Sequence, residues 1–186
     1  KSHCTFRVGG PADLFYELTN IEEFPELMRR AEENRIPWRV VVRGTNVLFT
    51  DKGYRGLIIK NLSNEFEVEG TRIMADSGVL LIKIIQIAIE HNLSGLEPLF
   101  GLPGTIGGAV WGNAGVPGTE TCAFLSRVVI CNTGDGIREL RAGELDFKYR
   151  WTSLQSTKET ILRVVLELPP GRKEASKEMM KKIDEI

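Results

Sequence analysis

The chain has 186 residues, of which 42% are hydrophobic and 26% charged, and its formal net charge is −1. This length suits one or two globular domains, and the near-neutral charge predicts neither a nucleic-acid partner nor an anionic membrane. Three cysteines without C-x-x-C spacing argue against a disulfide scaffold or a zinc site and favour a reducing cytoplasm. The longest apolar run, from Val79 to Ile89, is too short to span a bilayer.

The first 60 residues predict a β-α-β unit. Asn20 and Glu23 form a capping pair at the start of a helix, and Pro37 closes that helix. The expected elements are an extended piece over 5–12, a strand over 13–18, a helix with the apolar stripe Phe24, Leu27, Met28 and Ala31, a buried parallel strand over 38–42, and a further strand over 56–60.

The turn after the second strand is a candidate binding site. It consists of Arg43, Gly44, Thr45 and Asn46. Ligands of β-α-β units gather at the carboxyl ends of strands, where this turn lies. Thr45 and Asn46 offer short hydrogen-bonding side chains, and Gly44 offers close approach to the backbone. The alternative interpretation is a turn with no ligand.

From residue 61 the pattern changes to short strands around one apolar helix. The expected elements are strands over 65–69 and 72–75, a buried helix over 79–91, and strands over 126–131, 137–140 and 161–168. The last strand alternates Leu162, Val164, Leu166 and Leu168, which predicts antiparallel strands with one buried face.

A glycine-rich stretch over 101–118 carries the strongest signal of a ligand. Seven of its 18 residues are glycine: Gly101, Gly104, Gly107, Gly108, Gly112, Gly115 and Gly118. So many glycines disfavour a helix or a strand and favour a backbone that wraps a phosphate or a flat ring. Leu102, Ile106, Val110 and Trp111 make the stretch apolar, which favours a buried ligand wall over the alternative of a glycine-rich surface loop.

Residues 171–186 predict a charged helix with an apolar stripe of Met179, Met180, Ile183 and Ile186. Since no later residues are present for the stripe to pack on, we expect it to be the first helix of a further domain. The chain would then stop in mid-architecture.

The familiar nucleotide signatures are absent, and one arginine remains as a candidate for chemistry. Neither the dinucleotide fingerprint G-x-G-x-x-G nor a P-loop occurs. Arg150 follows Tyr149 after an acidic and aromatic run, and a guanidinium can hold a carboxylate through two parallel hydrogen bonds. The alternative is a surface arginine beside a packed tyrosine.

Six short motifs occur in the order in which one family carries them. They are T-F-R-V-G-G-P-A (5–12), G-T-N-V-L (44–48), S-G-L-E (94–97), G-L-P-G-T-I-G-G-A-V (101–110), N-A-G (113–115) and Y-R (149–150). The series resembles the UDP-N-acetylenolpyruvoylglucosamine reductase family, FAD enzymes that make UDP-N-acetylmuramate for peptidoglycan. The resemblance covers nearly all of residues 3–168.

The resemblance implies an α+β, two-lobed FAD-binding fold of the vanillyl-alcohol-oxidase type. A small α/β lobe over 1–60 would precede a lobe with an antiparallel sheet over 61–170, with FAD between them, and 171–186 would begin a truncated substrate domain. The residues that would bind FAD are Arg43, Gly44, Thr45, Asn46, Val47, Gly78, Leu102, Pro103, Gly104, Thr105, Gly107, Gly108, Asn113, Ala114 and Gly115.

The resemblance also implies the chemistry. NADPH would supply a hydride, which FAD passes to C3 of the enolpyruvyl group of the UDP-sugar substrate. Arg150 matches the family's arginine that stabilises the negative charge developing at C2 and on the carboxylate, so it is the expected catalytic residue. Tyr149 and Arg150 would bind the substrate. Neither a metal nor a nucleic-acid or membrane partner is expected, and the oligomeric state is left open.

Several positions depart from the family pattern. Val42 stands where the phosphate turn usually has glycine, and Pro117 replaces a tyrosine that can contact substrate. Thr152, Leu154 and Gln155 replace the usual S-x-F-K after the arginine. The family's proton-donating serine and catalytic glutamate have no match after residue 168, so we expect this chain alone to be inactive.

Three hypotheses are therefore open. The chain is the FAD-binding part of the reductase, or part of another flavin oxidoreductase that acts on a hydroxy acid or lactone, or a non-catalytic flavin-binding module. The Y-R pair and the N-A-G motif favour the first.

Overall fold

Two β-sheets of opposite type organise residues 2–132 and 134–184, the part of the chain that the computed structural model describes. A parallel sheet of three strands forms the N-terminal lobe, and an antiparallel sheet of five strands forms the second lobe. The expected α+β architecture is confirmed, whereas the domain boundaries at 60 and 170 stay a prediction.

The N-terminal lobe is built around its last strand. Its elements are β1 (Ala12–Leu18), α1 (Phe24–Glu33), β2 (Trp38–Val41) and β3 (Tyr54–Asn61). The sheet order is β1-β3-β2, so β3 is central and its segment 56–59 is buried. The expected parallel strand over 38–42 is confirmed as β2, but its expected burial is only partial: β2 is an edge strand with one neighbour, and Arg39 on it is exposed.

The start of α1 uses half of the predicted capping pair. Asn20 Oδ1 accepts a hydrogen bond from the Glu22 N–H at 3.1 Å and caps a single 3-10 turn that leads into the helix. The Glu23 carboxylate does not return to the cap; it accepts a hydrogen bond from the Tyr16 hydroxyl at 2.7 Å. The predicted stripe of α1 is confirmed, because Phe24, Met28 and Ala31 are buried.

The second lobe carries the larger sheet and the remaining helices. Its elements are β4 (Phe66–Glu69), β5 (Arg72–Asp76), α2 (Leu81–Glu90), α3 (Ile106–Trp111), β6 (Gly115–Val116), β7 (Thr119–Glu120), β8 (Leu125–Asn132), β9 (Gly136–Arg141), β10 (Phe147–Lys148), β11 (Trp151–Thr152), β12 (Thr160–Glu167) and α4 (Lys173–Asp184). The main sheet has the order β4-β5-β12-β8-β9, and β6-β7 and β10-β11 are separate hairpins. Within the described ranges, no helix has the length and apolarity that crossing a membrane requires.

The central strand β12 is buried on both faces, and the expected single buried face is wrong. Val164 and Leu166 pack into the core that α2 and α3 share with the sheet. A register shift between Ile161 and Arg163 turns Leu162 to the other side, where it and Cys131 pack with Leu18 and Phe24 of the N-terminal lobe. The two lobes therefore share a hydrophobic interface through β8 and β12.

An ion-pair network also crosses this interface. The Arg163 Nε lies 3.1 Å from Asp76 Oδ1, and its Nη2 lies 2.5 Å from Glu22 Oε1 in the N-terminal lobe. Asp76 is only 2% exposed, and its second oxygen accepts a hydrogen bond from the Glu65 N–H. The strand β5 ends at Asp76, so the network fixes the start of the loop over 77–80.

The glycine-rich stretch contains a helix, which contradicts the expectation of irregular backbone. Thr105 caps α3, with its Oγ1 accepting a hydrogen bond from the Gly108 N–H. A Cβ on Gly107 would lie 2.4 Å from the Ser77 Cβ, so glycine there allows α3 to approach the 77–80 loop closely. Here glycine serves close packing of a short helix.

The C-terminal helix packs on the chain itself, which corrects the expectation that its apolar stripe has no partner. Ser176 is buried and donates a hydrogen bond to the buried Glu97 carboxylate. Met180 packs against the core of the second lobe, while Met179 is exposed. Ile186, also assigned to the stripe, lies outside the described residues, as do Lys1, Thr133 and Glu185.

Candidate functional site

Residues 3–5 of the N-terminal segment pack against one side of the turn over 43–47. Gly44 is buried with φ +63°, and a Cβ on it would lie 2.8 Å from both Cys4 Cα and His3 O. The Thr5 N–H donates to the Gly44 carbonyl at 3.1 Å. The sequence analysis expects glycine at position 44 to allow close approach of a ligand. In the structure, glycine is required there because any side chain would collide with His3 and Cys4.

The same turn also has backbone N–H groups that donate no hydrogen bond within the described residues. In the described part of the chain, no hydrogen bond uses the backbone N–H groups of Thr45, Asn46 and Val47. Thr45 and Val47 are half-buried, and Asn46 and Arg43 are exposed. Consecutive free N–H groups in a turn form a concavity that suits an anion.

The turn lies beside the glycine-rich stretch. A Cβ on Gly104 would lie 3.6 Å from Thr45 Oγ1 and meet no other heavy atom within 4 Å. The N–H groups of Gly104 and Thr105 donate no hydrogen bond within residues 2–132 and 134–184, although Thr105 is buried. Two motifs that each carry free backbone donors, 59 residues apart in sequence at Thr45 and Gly104, are thus neighbours in the fold.

The glycines of the stretch divide into two groups by what surrounds them. A Cβ on Gly107 or Gly115 would collide with protein atoms, at 2.4 Å from Ser77 and at 2.6 Å from Thr119, respectively. A Cβ on Gly101 would meet nothing within 4 Å, and one on Gly108 would meet only Thr105 Oγ1 at 3.6 Å. The second group, with Gly104, leaves open space that a ligand can occupy.

The other residues expected to bind the cofactor have mixed surroundings. Gly78 packs against the end of β3, where a Cβ would lie 2.4 Å from Ser63 O. Pro103 is exposed, Leu102 is half-buried against the core, and the Ala114 carbonyl accepts hydrogen bonds from the N–H and hydroxyl of Thr121. Ser77, which was not predicted, accepts the Gly107 N–H at 3.1 Å through its carbonyl.

Asn113 is occupied by protein contacts. It is 1% exposed, with φ 41°, and its Nδ2 donates to Glu120 Oε2 at 2.9 Å and to the Lys148 carbonyl at 3.1 Å. Its Oδ1 accepts the Cys122 N–H at 3.2 Å. Burial, and secondarily the Glu120 carboxylate, raises the pKa of the Cys122 thiol, which keeps it protonated at neutral pH. No pattern in the sequence predicts the hydrogen bond between Asn113 and Glu120.

Tyr149 and Arg150 form the two-residue loop of the β10-β11 hairpin. Tyr149 is 82% exposed, and Arg150 adopts φ 56°. Among the ion pairs of the described residues none includes Arg150; its guanidinium lies 5.5 Å from the Tyr149 ring centre. The arrangement leaves one positive charge available to an anionic ligand.

The hairpin is fastened to the C-terminal end of α3. Thr152 Oγ1 and Gln155 Nε2 both donate to the Trp111 carbonyl, at 3.0 and 2.8 Å. Helix α3 rises about 9 Å over its six residues. The free donors near Thr105 and the root of the arginine loop therefore lie at opposite ends of one short helix, while the structure gives no direct contact between them in the described residues.

The free donors suit an anionic group such as a diphosphate. Five backbone N–H groups without internal partners, belonging to Thr45, Asn46, Val47, Gly104 and Thr105, suit phosphate oxygens. No group of three or more His, Cys, Asp or Glu in the described ranges is placed to hold a metal ion.

A family model described as FAD binding domain matches residues 12–137. Among curated proteins, the chain is 40% identical to the UDP-N-acetylenolpyruvoylglucosamine reductase of Carboxydothermus hydrogenoformans, over 99% of this chain and 61% of that protein. The chain thus spans about three fifths of the length of such relatives.

Solved structures point the same way. The UDP-N-acetylenolpyruvylglucosamine reductase of Thermus caldophilus superposes with a TM-score of 0.84 at 32% identity, covering 99% of this chain and 65% of that one. The 6-hydroxy-D-nicotine oxidase of Arthrobacter nicotinovorans reaches a TM-score of 0.67 at 17% identity, covering 88% and 38%, and shows a shared fold alone. The expected flavoprotein fold is confirmed.

Proposed function

Because the chain belongs to the FAD-binding domain family, we propose that it is the FAD-binding part of a UDP-N-acetylenolpyruvoylglucosamine reductase. The complete protein would reduce UDP-N-acetylglucosamine enolpyruvate to UDP-N-acetylmuramate with NADPH, in the cytoplasm, for peptidoglycan synthesis. The UDP-sugar and NADPH would be its small-molecule partners.

One observation supports this site assignment above the others. The free N–H groups of the 45–47 turn and of Gly104 and Thr105 belong to separate motifs, yet Thr45 and Gly104 are neighbours. These groups would hold the FAD pyrophosphate, because hydrogen bonds from backbone N–H to a charged oxygen are worth about 1.5–3 kcal/mol each. The open space beside Gly101 and Gly108 would take the rest of the cofactor.

Arg150 would bind the substrate carboxylate. FAD, when bound, supplies the hydride chemistry that no side chain can provide. Arg150 lies on an exposed loop and has no ion pair with any described residue. It would hold the carboxylate of the enolpyruvyl group and stabilise the negative charge that grows there during reduction. Tyr149, exposed beside it, would contact the same substrate.

The assay that tests this proposal uses the complete gene product. NADPH oxidation should require UDP-N-acetylglucosamine enolpyruvate and should yield one UDP-N-acetylmuramate per NADPH consumed. Oxidation of NADPH at the same rate without the substrate, or turnover of a hydroxy acid or lactone in its place, would contradict the proposal.

The cofactor site makes a separate prediction at Gly104. Gly104→Ala places a methyl group in the space beside Thr45 Oγ1, at a residue with φ +131°. We expect the Kd for FAD to rise by about tenfold or more, since losing one charged hydrogen bond already has that effect. Titrating the apoprotein with FAD, followed by flavin fluorescence, measures the change.

Gly70→Ala is the matched control for this variant. Gly70 also has positive φ (+60°) and open surroundings, but it lies in the β4-β5 turn. It should lose about 1–2 kcal/mol of stability from the left-handed backbone and leave the Kd for FAD unchanged. Equal FAD affinities of the two variants would show that Gly104 does not border the cofactor.

A further inference from the structure

We propose that Asn113 is a positioning residue that fixes the loop carrying Arg150, instead of contacting the cofactor as the family resemblance implies. The inference rests on the proposed function only for what Arg150 does in the reaction. Its structural content, that one buried amide holds this hairpin in place, depends on contacts within the chain.

The side-chain amide of Asn113 links residues 120–122 to the end of β10, 35 residues further along the chain. Its Nδ2 donates to the Glu120 carboxylate on β7 and to the Lys148 carbonyl on β10, and its Oδ1 accepts from the Cys122 N–H. Both amide hydrogens are therefore used inside the protein, and the side chain is 1% exposed. A group so enclosed has no donor left for a cofactor.

The contact at Lys148 lies directly before the arginine loop. Lys148 is the last residue of β10, and the next two residues are Tyr149 and Arg150. Arg150 adopts φ 56°, a conformation that non-glycine residues keep only when their surroundings enforce it. Contacts from outside the loop are therefore expected to hold Arg150 in this conformation.

Two supports reach the hairpin, one on each side. Asn113 binds its first strand through the Lys148 carbonyl. Thr152 Oγ1 binds its second strand to the Trp111 carbonyl, and Gln155, just after that strand, donates to both the Trp111 carbonyl and the Arg150 carbonyl, the latter at 3.2 Å. Both supports come from residues at or just after the C-terminal end of α3. The free N–H groups of Gly104 and Thr105 lie at the N-terminal end of the same helix, so α3 connects the candidate phosphate site to the loop that carries Arg150.

The residue type at 113 fits this role. Asparagine tolerates positive φ better than most residues, and Asn113 has φ 41°. Its NH₂ group supplies two donors to two acceptors. An aspartate of the same shape would present an acceptor to the Glu120 carboxylate and to the Lys148 carbonyl, and would break both contacts by repulsion.

The test is Asn113→Asp in the complete FAD-loaded protein. Hydrogen–deuterium exchange of residues 147–152 should accelerate, while β8 and β12 stay protected. Hydride transfer to the enolpyruvyl substrate should slow on the order of 10- to 100-fold because the guanidinium is misplaced. Reduction by NADPH and the Kd for FAD should stay at wild-type values.

Two further variants sharpen this test. Adding Glu120→Gln to Asn113→Asp restores a donor–acceptor pair at that contact, so part of the lost rate and protection should return. Combining Asn113→Asp with Arg150→Ala should be no slower than Arg150→Ala alone, since Asn113 acts through Arg150. Val128→Ala, a core truncation in β8, is the control for lost stability and should leave both half-reactions unchanged.

The outcomes separate the inference from the proposed function. Unchanged exchange over 147–152, or a weakened Kd for FAD with slower reduction by NADPH, would overturn the positioning role. If the wild-type protein does not reduce the UDP-sugar, the proposed function fails, and the exchange comparison still decides whether Asn113 holds the loop.

Discussion

Arg150→Ala in the complete protein is expected to slow hydride transfer to the enolpyruvyl substrate by about 10²–10³-fold, the loss typical of removing one preorganised donor to a developing anion. The guanidinium has no ion-pair partner among the described residues, so its charge is available to the substrate carboxylate. Reduction by NADPH does not build charge at that carboxylate and should stay within a few-fold of wild type. Anaerobic stopped-flow absorbance at the flavin bands measures the two half-reactions separately.

The backbone at Arg150 provides an internal control. Because φ is 56°, Arg150→Gly should be more stable than Arg150→Ala by about 1 kcal/mol, while both variants lose the same catalytic rate. Arg150→Lys keeps the charge but lacks the planar pair of donors, so it should recover only part of the rate. Equal losses in both half-reactions for Arg150→Ala would mean that Arg150 does not act on the substrate.

Much of the fold is predictable from local sequence patterns. The predicted strands of the main sheet and the stripe of α1 are confirmed because their residues repeat with the period of a strand or a helix. Burial on the second face of β12 was not predictable in this way. Leu162 meets Leu18 and Phe24, and only the packing of one lobe on the other brings those residues together.

The glycine-rich stretch shows where composition misleads. Glycine has a low helix propensity, yet α3 forms because Thr105 caps it and Gly107 packs on Ser77. A glycine that faces a ligand and a glycine that faces a neighbouring loop look the same in sequence. Only the atoms around Gly104 and Gly107 distinguish them.

The motifs of the candidate site can be found in the sequence, but the hydrogen bonds that hold these motifs in place cannot. The residues assigned to the cofactor and the substrate stay predictions, and the structure adds how they are held. Thr152 and Gln155 count as departures from the family pattern, and both fasten the arginine loop to Trp111. Asn113 lies 35 residues from Lys148, and no local pattern predicts a hydrogen bond over that separation.

Arg163→Met is expected to lower the free energy of unfolding by about 3 kcal/mol, at the lower end of the range for breaking a buried ion pair. The substitution keeps an unbranched apolar stem but removes the guanidinium, and it leaves the 2% exposed Asp76 carboxylate with the Glu65 N–H as its one remaining donor among the described residues. The lower end applies because the arginine side chain is itself 34% exposed, so water replaces part of the interaction. Urea unfolding followed by tryptophan fluorescence measures the loss.

Two variants test the cause of that loss. Glu22→Gln removes the exposed partner of Arg163 and should cost less than about 1 kcal/mol, as surface pairs do. Adding Asp76→Asn to Arg163→Met removes the unpaired buried charge and should recover more than half of the lost stability.

The same pair of variants should differ in FAD binding. Asp76 precedes Ser77, whose carbonyl accepts the hydrogen bond of the Gly107 N–H, so Arg163→Met should weaken FAD binding and Glu22→Gln should not. If Arg163→Met and Glu22→Gln cost the same, then Asp76 does not depend on Arg163, and the 77–80 loop is held by its packing alone.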